Sequence, residues 1–310
     1  MNDQKIWDVV IVGGGPAGLT AAINLARARR TVLVLDSNRP RNSATFHAHG
    51  FLSRDGISPL ELRRLGREEL EAYPQASFER TVVSRVEPVE TTRVPRVEPV
   101  ETSPARFRIN VTIHTRTLLI ATGLRERQPA VPSLRTWYGT NIHSCFECDG
   151  YEYSDRPIGL LGESDDLAQR AMLLSQWSRD LVVFTNGVGV VSDADEARLG
   201  GRGIRVDRRV VQDVAGDRNG LTGVVLTDGG VVPLVGLFVR PHYEPALEYV
   251  SGLDLALDDD GLVVIDSDGR TSVRGVYAVG DITPPGPQQL IVAAGHGAHV
   301  AASLNRDLLG

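Results

Sequence analysis

The sequence predicts an α/β protein made of two doubly wound, Rossmann-like domains, the second inserted into the first. Two strand–loop–helix–strand units, at residues 8 to 36 and 157 to 184, and a closing strand and helix over 275 to 310 point to that class. The expected boundaries are residues 1–122 with 241–310 for the first domain and 123–240 for the second.

In the first unit, Asp8-Val-Val-Ile-Val is a short β-branched run that breaks into glycines and opens an alanine-rich helix expected over 13 to 30. Thr31-Val-Leu-Val-Leu35 follows as a strand capped by Asp36. Gly13, Gly15 and Gly18 have the G-x-G-x-x-G spacing, and the acid lies eighteen residues beyond the last glycine. Gly13 makes the tight turn, Gly15 leaves room for a pyrophosphate, and Gly18 lets helix and strand pack closely. The helix start offers unbonded N–H groups to the phosphates, and Asp36 accepts hydrogen bonds from a ribose. Between a strand and a helix, and followed by a strand ending in an acid, this spacing reads as a dinucleotide site rather than a bare turn.

Residues 58 to 72 read as an amphipathic helix, with Leu60, Leu62, Leu65 and Leu70 among arginines and glutamates. Arg85-Val-Glu-Pro-Val-Glu-Thr91 then recurs eleven residues on, at 96 to 102. Two copies are too few for a solenoid, and the prolines and alternating charge mark an exposed hairpin-like or irregular insertion between strands over 85 to 102. Strands are expected at 107 to 113 and 117 to 120, the second ending in Ala121-Thr-Gly123. The second unit takes 157 to 161 as strand, a turn through 162 to 166, a helix to about 177 and a strand at 181 to 184. A strand at 236 to 239 leads out, and Gly275-Val-Tyr-Ala-Val-Gly-Asp281 precedes a helix from about Gln289.

The chain has 310 residues, 42% of them hydrophobic, and 33 basic against 39 acidic side chains. That size buries a large core, and the net charge of -6 argues against a nucleic-acid partner. No apolar run of ~18 residues marks a membrane span, and no signal peptide precedes the first strand, so a cytoplasmic location is the expectation. The two cysteines, Cys145 and Cys148, form one C-x-x-C. That excludes a disulfide-stapled scaffold and an all-cysteine zinc site, and no histidine has metal-ligand spacing to another. A redox pair, half of a metal site and two buried thiols remain open from these residues alone.

Taken together, Gly13-Gly-Gly-Pro-Ala-Gly18, Ala121-Thr-Gly123, Cys145-Phe-Glu-Cys-Asp-Gly150, Gly275-Val-Tyr-Ala-Val-Gly-Asp281 and Gln288-Gln-Leu-Ile-Val-Ala-Ala-Gly295 resemble the low-molecular-weight thioredoxin reductase group of FAD-dependent disulfide oxidoreductases. The resemblance implies FAD as cofactor and a homodimer. It places Gly13, Gly15, Pro16, Ala17 and Asp36 on the FAD adenosine and pyrophosphate, and Val83 on the adenine through its backbone. Arg41, Asn42, His49, Ala121, Thr122 and Gly123 are expected around the same cofactor. Gly280 and Asp281 would hold its ribityl and phosphate region, and Gln289 and Leu290 its pyrimidine edge, where a helix start stabilises charge on the reduced ring. Cys145 and Cys148 would be the redox disulfide, with Cys148 meeting the flavin and Cys145 exchanging with substrate. A helix dipole at the pair would lower a thiolate pKa. Asp149 would carry protons. His143 either assists the thiolate or is a satisfied structural histidine; His47 is a second histidine expected near the flavin, and His296 and His299 are expected to be packing or interface residues.

The chain departs from that group at its second nucleotide site. Gly162, Ser164 and Leu167 occupy the fingerprint positions, so serine narrows the phosphate approach and leucine pushes the helix from the strand. Glu163, Asp165 and Asp166 add negative charge there, and Phe184-Thr-Asn186 replaces the group's His-Arg-Arg grip on the NADPH 2′-phosphate. The segment 41 to 56 resembles the dithiol oxidases that close disulfides in natural products such as gliotoxin and holomycin, although Asp149 keeps the reductase pattern. The resulting expectation is oxidation of a small-molecule dithiol with O2 as acceptor and no NADPH. The alternatives are a reductase acting on a disulfide or a thioredoxin-like protein, fed by NADPH or a ferredoxin, and a non-enzymatic flavin redox sensor.

Overall fold

The computed structural model describes residues 5–89, 106–284 and 286–310. The second copy of the repeat, and Glu90 and Thr91 of the first, lie outside the described residues.

The chain opens with β1 (Ile6–Val12), α1 (Pro16–Arg27) and β2 (Val32–Asp36), then α2 (Pro59–Glu71), β3 (Ala76–Arg80), β4 (Val86–Pro88), β5 (Phe107–Ile109) and β6 (Ile113–Ile120). These strands form one sheet in the order β3-β2-β1-β6-β5-β4, joined on β6 by β17 (Val276–Ala278) near the other end of the chain. The β1, β2, β3, β6 and β17 pairings are parallel, and β5 alone runs against the rest, pairing antiparallel with both β6 and β4. Alternate residues of β1 feed opposite faces: Val9 and Ile11 pack with α1 and the last helix, α7 (Leu290–Asp307), and Val10 and Val12 pack with Tyr249, Val250 and Leu253. A parallel sheet covered on both faces requires such apolar strands. The two helices meet so closely that a Cβ on Gly297 would stand 2.2 Å from the Ala17 carbonyl oxygen.

A two-stranded antiparallel ribbon, β7 (Leu124–Arg127) with β16 (His242–Pro245), carries the chain out of this sheet and back. Between its strands come α3 (Leu134–Trp137), β8 (Ile142–His143), α4 (Phe146–Asp149), β9 (Ile158–Leu161), α5 (Leu167–Leu174), β10 (Leu181–Phe184), α6 (Asp193–Gly200) and β11 (Arg205–Asp207). An antiparallel meander of β12 (Val211–Asp217), β13 (Gly220–Leu226) and β14 (Val231–Pro233) leads to β15 (Gly236–Val239). The second sheet is all parallel, in the order β11-β10-β9-β15-β8. Among the described residues, no helix is long and apolar enough to cross a membrane.

Three elements differ from their expected limits, and a fourth, α2, in the residues it buries. α1 starts at Pro16 rather than at 13, because Gly13 takes φ +111° to make its turn, and it stops at Arg27 ahead of Arg29 at φ +65°. The expected strand at 107 to 113 is broken by a turn, with Asn110 and Val111 both at positive φ. α5 ends at Leu174, short of 177. On α2 the buried residues include Arg63 and Leu70, whereas Leu60 is exposed.

Candidate active site

The C-terminal ends of β1, β2 and β6 open on a cavity of about 1020 Å³, where a doubly wound sheet presents its ligand site. The twenty residues expected at the redox pair and around FAD all line it, including both cysteines. The topology therefore brings the first sheet's glycine loop and the second sheet's C-x-x-C to the same space.

The loop geometry fits a dinucleotide. A Cβ on Gly13 would meet the Ala121 carbonyl oxygen at 2.3 Å, and one on Gly18 would meet the Gly13 oxygen at 1.9 Å, so both positions need glycine for close packing. Gly15 is different: a Cβ there would find nothing within 4 Å, which leaves open space where a phosphate would lie. Neither Gly15 at the start of α1 nor Gln289 at the start of α7 caps its helix with a side chain, so both ends present unbonded N–H groups at the cavity wall. Asp36 sits at the expected strand end, but both carboxylate oxygens already have partners: Asn38 N–H at 2.9 Å and the buried Arg63 Nη2 at 2.5 Å. A ribose would add to that set, not replace it.

Cys145 and Cys148 are joined as a disulfide with Cα atoms 5.3 Å apart. Cys145 caps α4, and the Cys148 N–H donates to Cys145 Sγ at 3.1 Å. α4 is a single turn, so the helix-dipole expectation is corrected here: one defined N–H, not a macrodipole, acts on the Cys145 sulfur. His143 is buried beneath the pair. Its Nδ1 lies 3.2 Å from Asp149 Oδ1, and its Nε2 lies 3.1 Å from both the Tyr153 hydroxyl and the Thr140 carbonyl oxygen. With both ring nitrogens engaged, His143 positions Asp149. His49 lies between Asp55 at 3.4 Å and Glu152 at 3.5 Å, and His47 contacts the Gly56 carbonyl oxygen.

Arg41 ties the two halves of the site together. Its guanidinium reaches Asp281 Oδ2 at 2.8 Å, and Glu126 Oε1 and Gln288 Oε1 at 3.3 Å each. Glu126 in turn accepts from the Ser144 hydroxyl at 3.0 Å, next to Cys145, and from the Tyr138 hydroxyl. Burial pulls Arg41 downward, but Asp281, Tyr243 and Glu126 outweigh it and hold the guanidinium above its usual pKa. Burial wins at Asp281, whose carboxyl is raised despite Arg41. Burial and then Glu126 likewise raise Tyr138. Glu126, Tyr138 and Ser144 have no sequence signal, because they come from the ribbon and the approach to α4 and meet Arg41 only in space.

His296, expected to be a packing or interface residue, also contacts the backbone of the site. Its Nδ1 accepts the Gly280 N–H at 3.1 Å, which fixes the backbone just before Asp281. Burial, and secondarily His299, lower His296 below its ordinary 6.5, so the folded protein takes up that proton less readily than the unfolded chain. The contribution is complete above about pH 6.5 and is lost as pH falls toward the lowered value. Melting between about pH 7.5 and about pH 5.5 is expected to show this loss, and His296→Gln, which keeps an acceptor, is expected to flatten it. An equal fall in the variant would contradict the assignment.

The second glycine loop is filled by its own side chains. Leu167 is fully buried, and its methyls would lie 2.7 Å and 2.6 Å from Cβ atoms on Gly162 and Gly189. The Val190 N–H donates to the Ser164 carbonyl oxygen at 3.1 Å, which draws the loop after β10 over the turn. Two of the three acidic residues here, Glu163 and Asp166, are not the bare charges expected from the sequence. Glu163 accepts from Asn186 Nδ2 at 2.7 Å, and Asp166 accepts from the Ser164 hydroxyl at 2.5 Å and Arg240 Nε at 3.0 Å. Burial pushes Asp166 upward, but Ser164, Arg240 and Arg170 outweigh it and hold it below the usual carboxylate range. None of residues 162 to 167 lines the large cavity. Among the described residues, no group of His, Cys, Asp and Glu side chains is placed to hold a metal ion.

Comparison with known proteins bears on this geometry. The sequence profile described as pyridine nucleotide-disulphide oxidoreductase matches residues 7–297. The thioredoxin reductase of Mycolicibacterium smegmatis is 29% identical over 99% of this chain and 97% of its own length. A probable thioredoxin reductase of Arthroderma benhamiae is 31% identical over 60% of this chain, and the match spans only 45% of that relative. The crystal structure of HlmI superposes with a TM-score of 0.88 at 37% identity, covering 98% of this chain and 92% of that one.

Proposed function

This chain belongs to the pyridine nucleotide-disulphide oxidoreductase family, a flavoprotein oxidoreductase that binds FAD, and on that premise we propose that it oxidises a dithiol to a disulfide through Cys145 and Cys148, with O2 as final acceptor and without NADPH. The observation that carries this reading is the second nucleotide loop, where buried Leu167 and the Asn186–Glu163 and Arg240–Asp166 contacts take up the space and the polar groups that a nicotinamide dinucleotide would need.

A substrate thiolate attacks Cys145 Sγ, the Cys145–Cys148 bond breaks, and Cys148 leaves as a thiolate. The second substrate thiol then attacks the mixed disulfide, which closes the substrate disulfide and releases Cys145. Bound FAD supplies the two-electron acceptor for the reduced cysteine pair, and O2 takes those electrons with two protons to become hydrogen peroxide. Asp149, held by His143, carries protons at the cysteine pair. The Cys148 N–H stabilises charge on Cys145 once the bond is open. Gly15 and the start of α1 would take the pyrophosphate, and Asp281 and the start of α7 the ribityl chain and pyrimidine edge. We also take residues 1–122 with 241–310, and 123–240, as the two domains.

Anaerobic flavin absorbance tests the reading. A simple dithiol such as dithiothreitol is expected to bleach the flavin, air to restore it with one peroxide per dithiol, and NADPH to leave it oxidised. Rapid bleaching by micromolar NADPH would instead establish a disulfide reductase, the second reading, which the thioredoxin reductases among the relatives favour.

A further inference from the structure

The wall that carries the cysteines also carries two arginines for which the exchange chemistry has no use. Arg170 on α5 and Arg240 after β15 line the cavity with Cys145 and Cys148. Both turn to a single carboxylate: Arg240 Nε is 3.0 Å from Asp166 Oδ2, and Arg170 Nη1 is 3.8 Å away, outside hydrogen-bond range. Arg170 Nε is buried with no hydrogen-bond partner. Its guanidinium carbon lies 5.0 Å from the ring centroid of Phe146, the residue that follows Cys145 in the redox pair. Arg240 lies 5.4 Å from the Tyr243 ring centroid and donates from Nη1 to the Pro241 carbonyl oxygen. Arg41, another arginine on this cavity, is by contrast satisfied by two carboxylates and Gln288.

A buried guanidinium nitrogen without a partner is costly, and a planar anion accepting from the fork is its natural complement. Two guanidiniums against Asp166 leave one positive charge, which matches a monoanion such as a carboxylate better than a dianionic phosphate. Glu147, the other carboxylate acting on Arg170, is exposed and screened by solvent. Leu173, 42% exposed on the same cavity wall, adds an apolar surface beside the arginines. The FAD phosphates and ribityl chain are provided for by other groups, the start of α1 and Asp281.

We infer that Arg170 and Arg240 form a subsite for a carboxylate carried on a short apolar arm of the dithiol substrate, an inference that rests on the dithiol oxidase reading. Dihydrolipoate and dihydrolipoamide are a matched pair of dithiols that differ in that one group. With the FAD-loaded enzyme, kcat/KM for dihydrolipoate is expected to exceed that for dihydrolipoamide by about tenfold or more, the scale of one hydrogen bond to a charged group. Arg170→Gln is expected to bring the ratio close to one, and Arg170→Lys to restore part of it. Equal kcat/KM values in the wild type, or a ratio unchanged in Arg170→Gln, would overturn the subsite while dithiol oxidation itself stands. If neither dithiol bleaches the flavin anaerobically and NADPH does, the oxidase reading fails and the subsite falls with it.

Discussion

Cys145→Ser and Cys148→Ser are each expected to lower dithiol turnover by at least about a thousandfold, while the protein still folds and binds FAD. The chain has only these two cysteines, both in the bond, so no other thiol can complete the exchange. Serine cannot form or release a disulfide, and the loss therefore falls on kcat rather than on substrate binding. Folding tolerates the change because the bond closes a very short loop, with a sequence separation of 3, and a cross-link of that length is worth only about 2 kcal/mol in the chain-entropy account. Steady-state peroxide production and the flavin spectrum of the purified variants check both parts. Turnover within tenfold of wild type in either variant would remove the cysteine pair from the mechanism.

Arg41→Met is the second large effect, expected to cost about 3–5 kcal/mol because it strips the cation from two carboxylates that stay in the structure. Glu126 is 8% exposed and Asp281 21% exposed, so neither can turn to water without rearranging the site. The sign with pH follows from Asp281. Burial raises its folded pKa above the usual carboxylate value, and removal of Arg41 raises it further. The folded variant therefore binds more protons than the unfolded chain, and its deficit widens as pH rises out of the acidic range. The double variant Arg41→Met with Asp281→Asn removes the unpaired charge as well and is expected to recover about half of the lost stability. Urea unfolding of the three proteins at two pH values decides it. An Arg41→Met variant within about 1 kcal/mol of wild type would show that the ion pair is dispensable.

Much of the fold was legible because its signals are local. Gly13, Gly15 and Gly18 announce their turn by spacing, and the short apolar runs of β1, β2, β9 and β10 announce strands by composition. The same local logic failed where a residue's role depends on distant partners. Arg63 reads as a solvent-facing arginine of an amphipathic helix, yet it is buried against Asp36 from another element. Residues 107 to 113 read as one strand, although β5 ends at Ile109 and the chain reverses to pair with itself.

The candidate site divides along the same line. The glycine loop, the C-x-x-C, the acid at position 281 and the loss of glycines from the second fingerprint are legible in the chain alone, because each is a matter of which atoms a few adjacent residues possess. That these pieces face one cavity, that Arg41 joins Asp281 to Glu126, and that Arg240 and Asn186 answer Asp166 and Glu163 follows from the folded arrangement. Charge compensation acts through space: a carboxylate's effect depends on the cation that stands about 3 Å away, and that cation comes from another element, 74 to 240 residues along the chain.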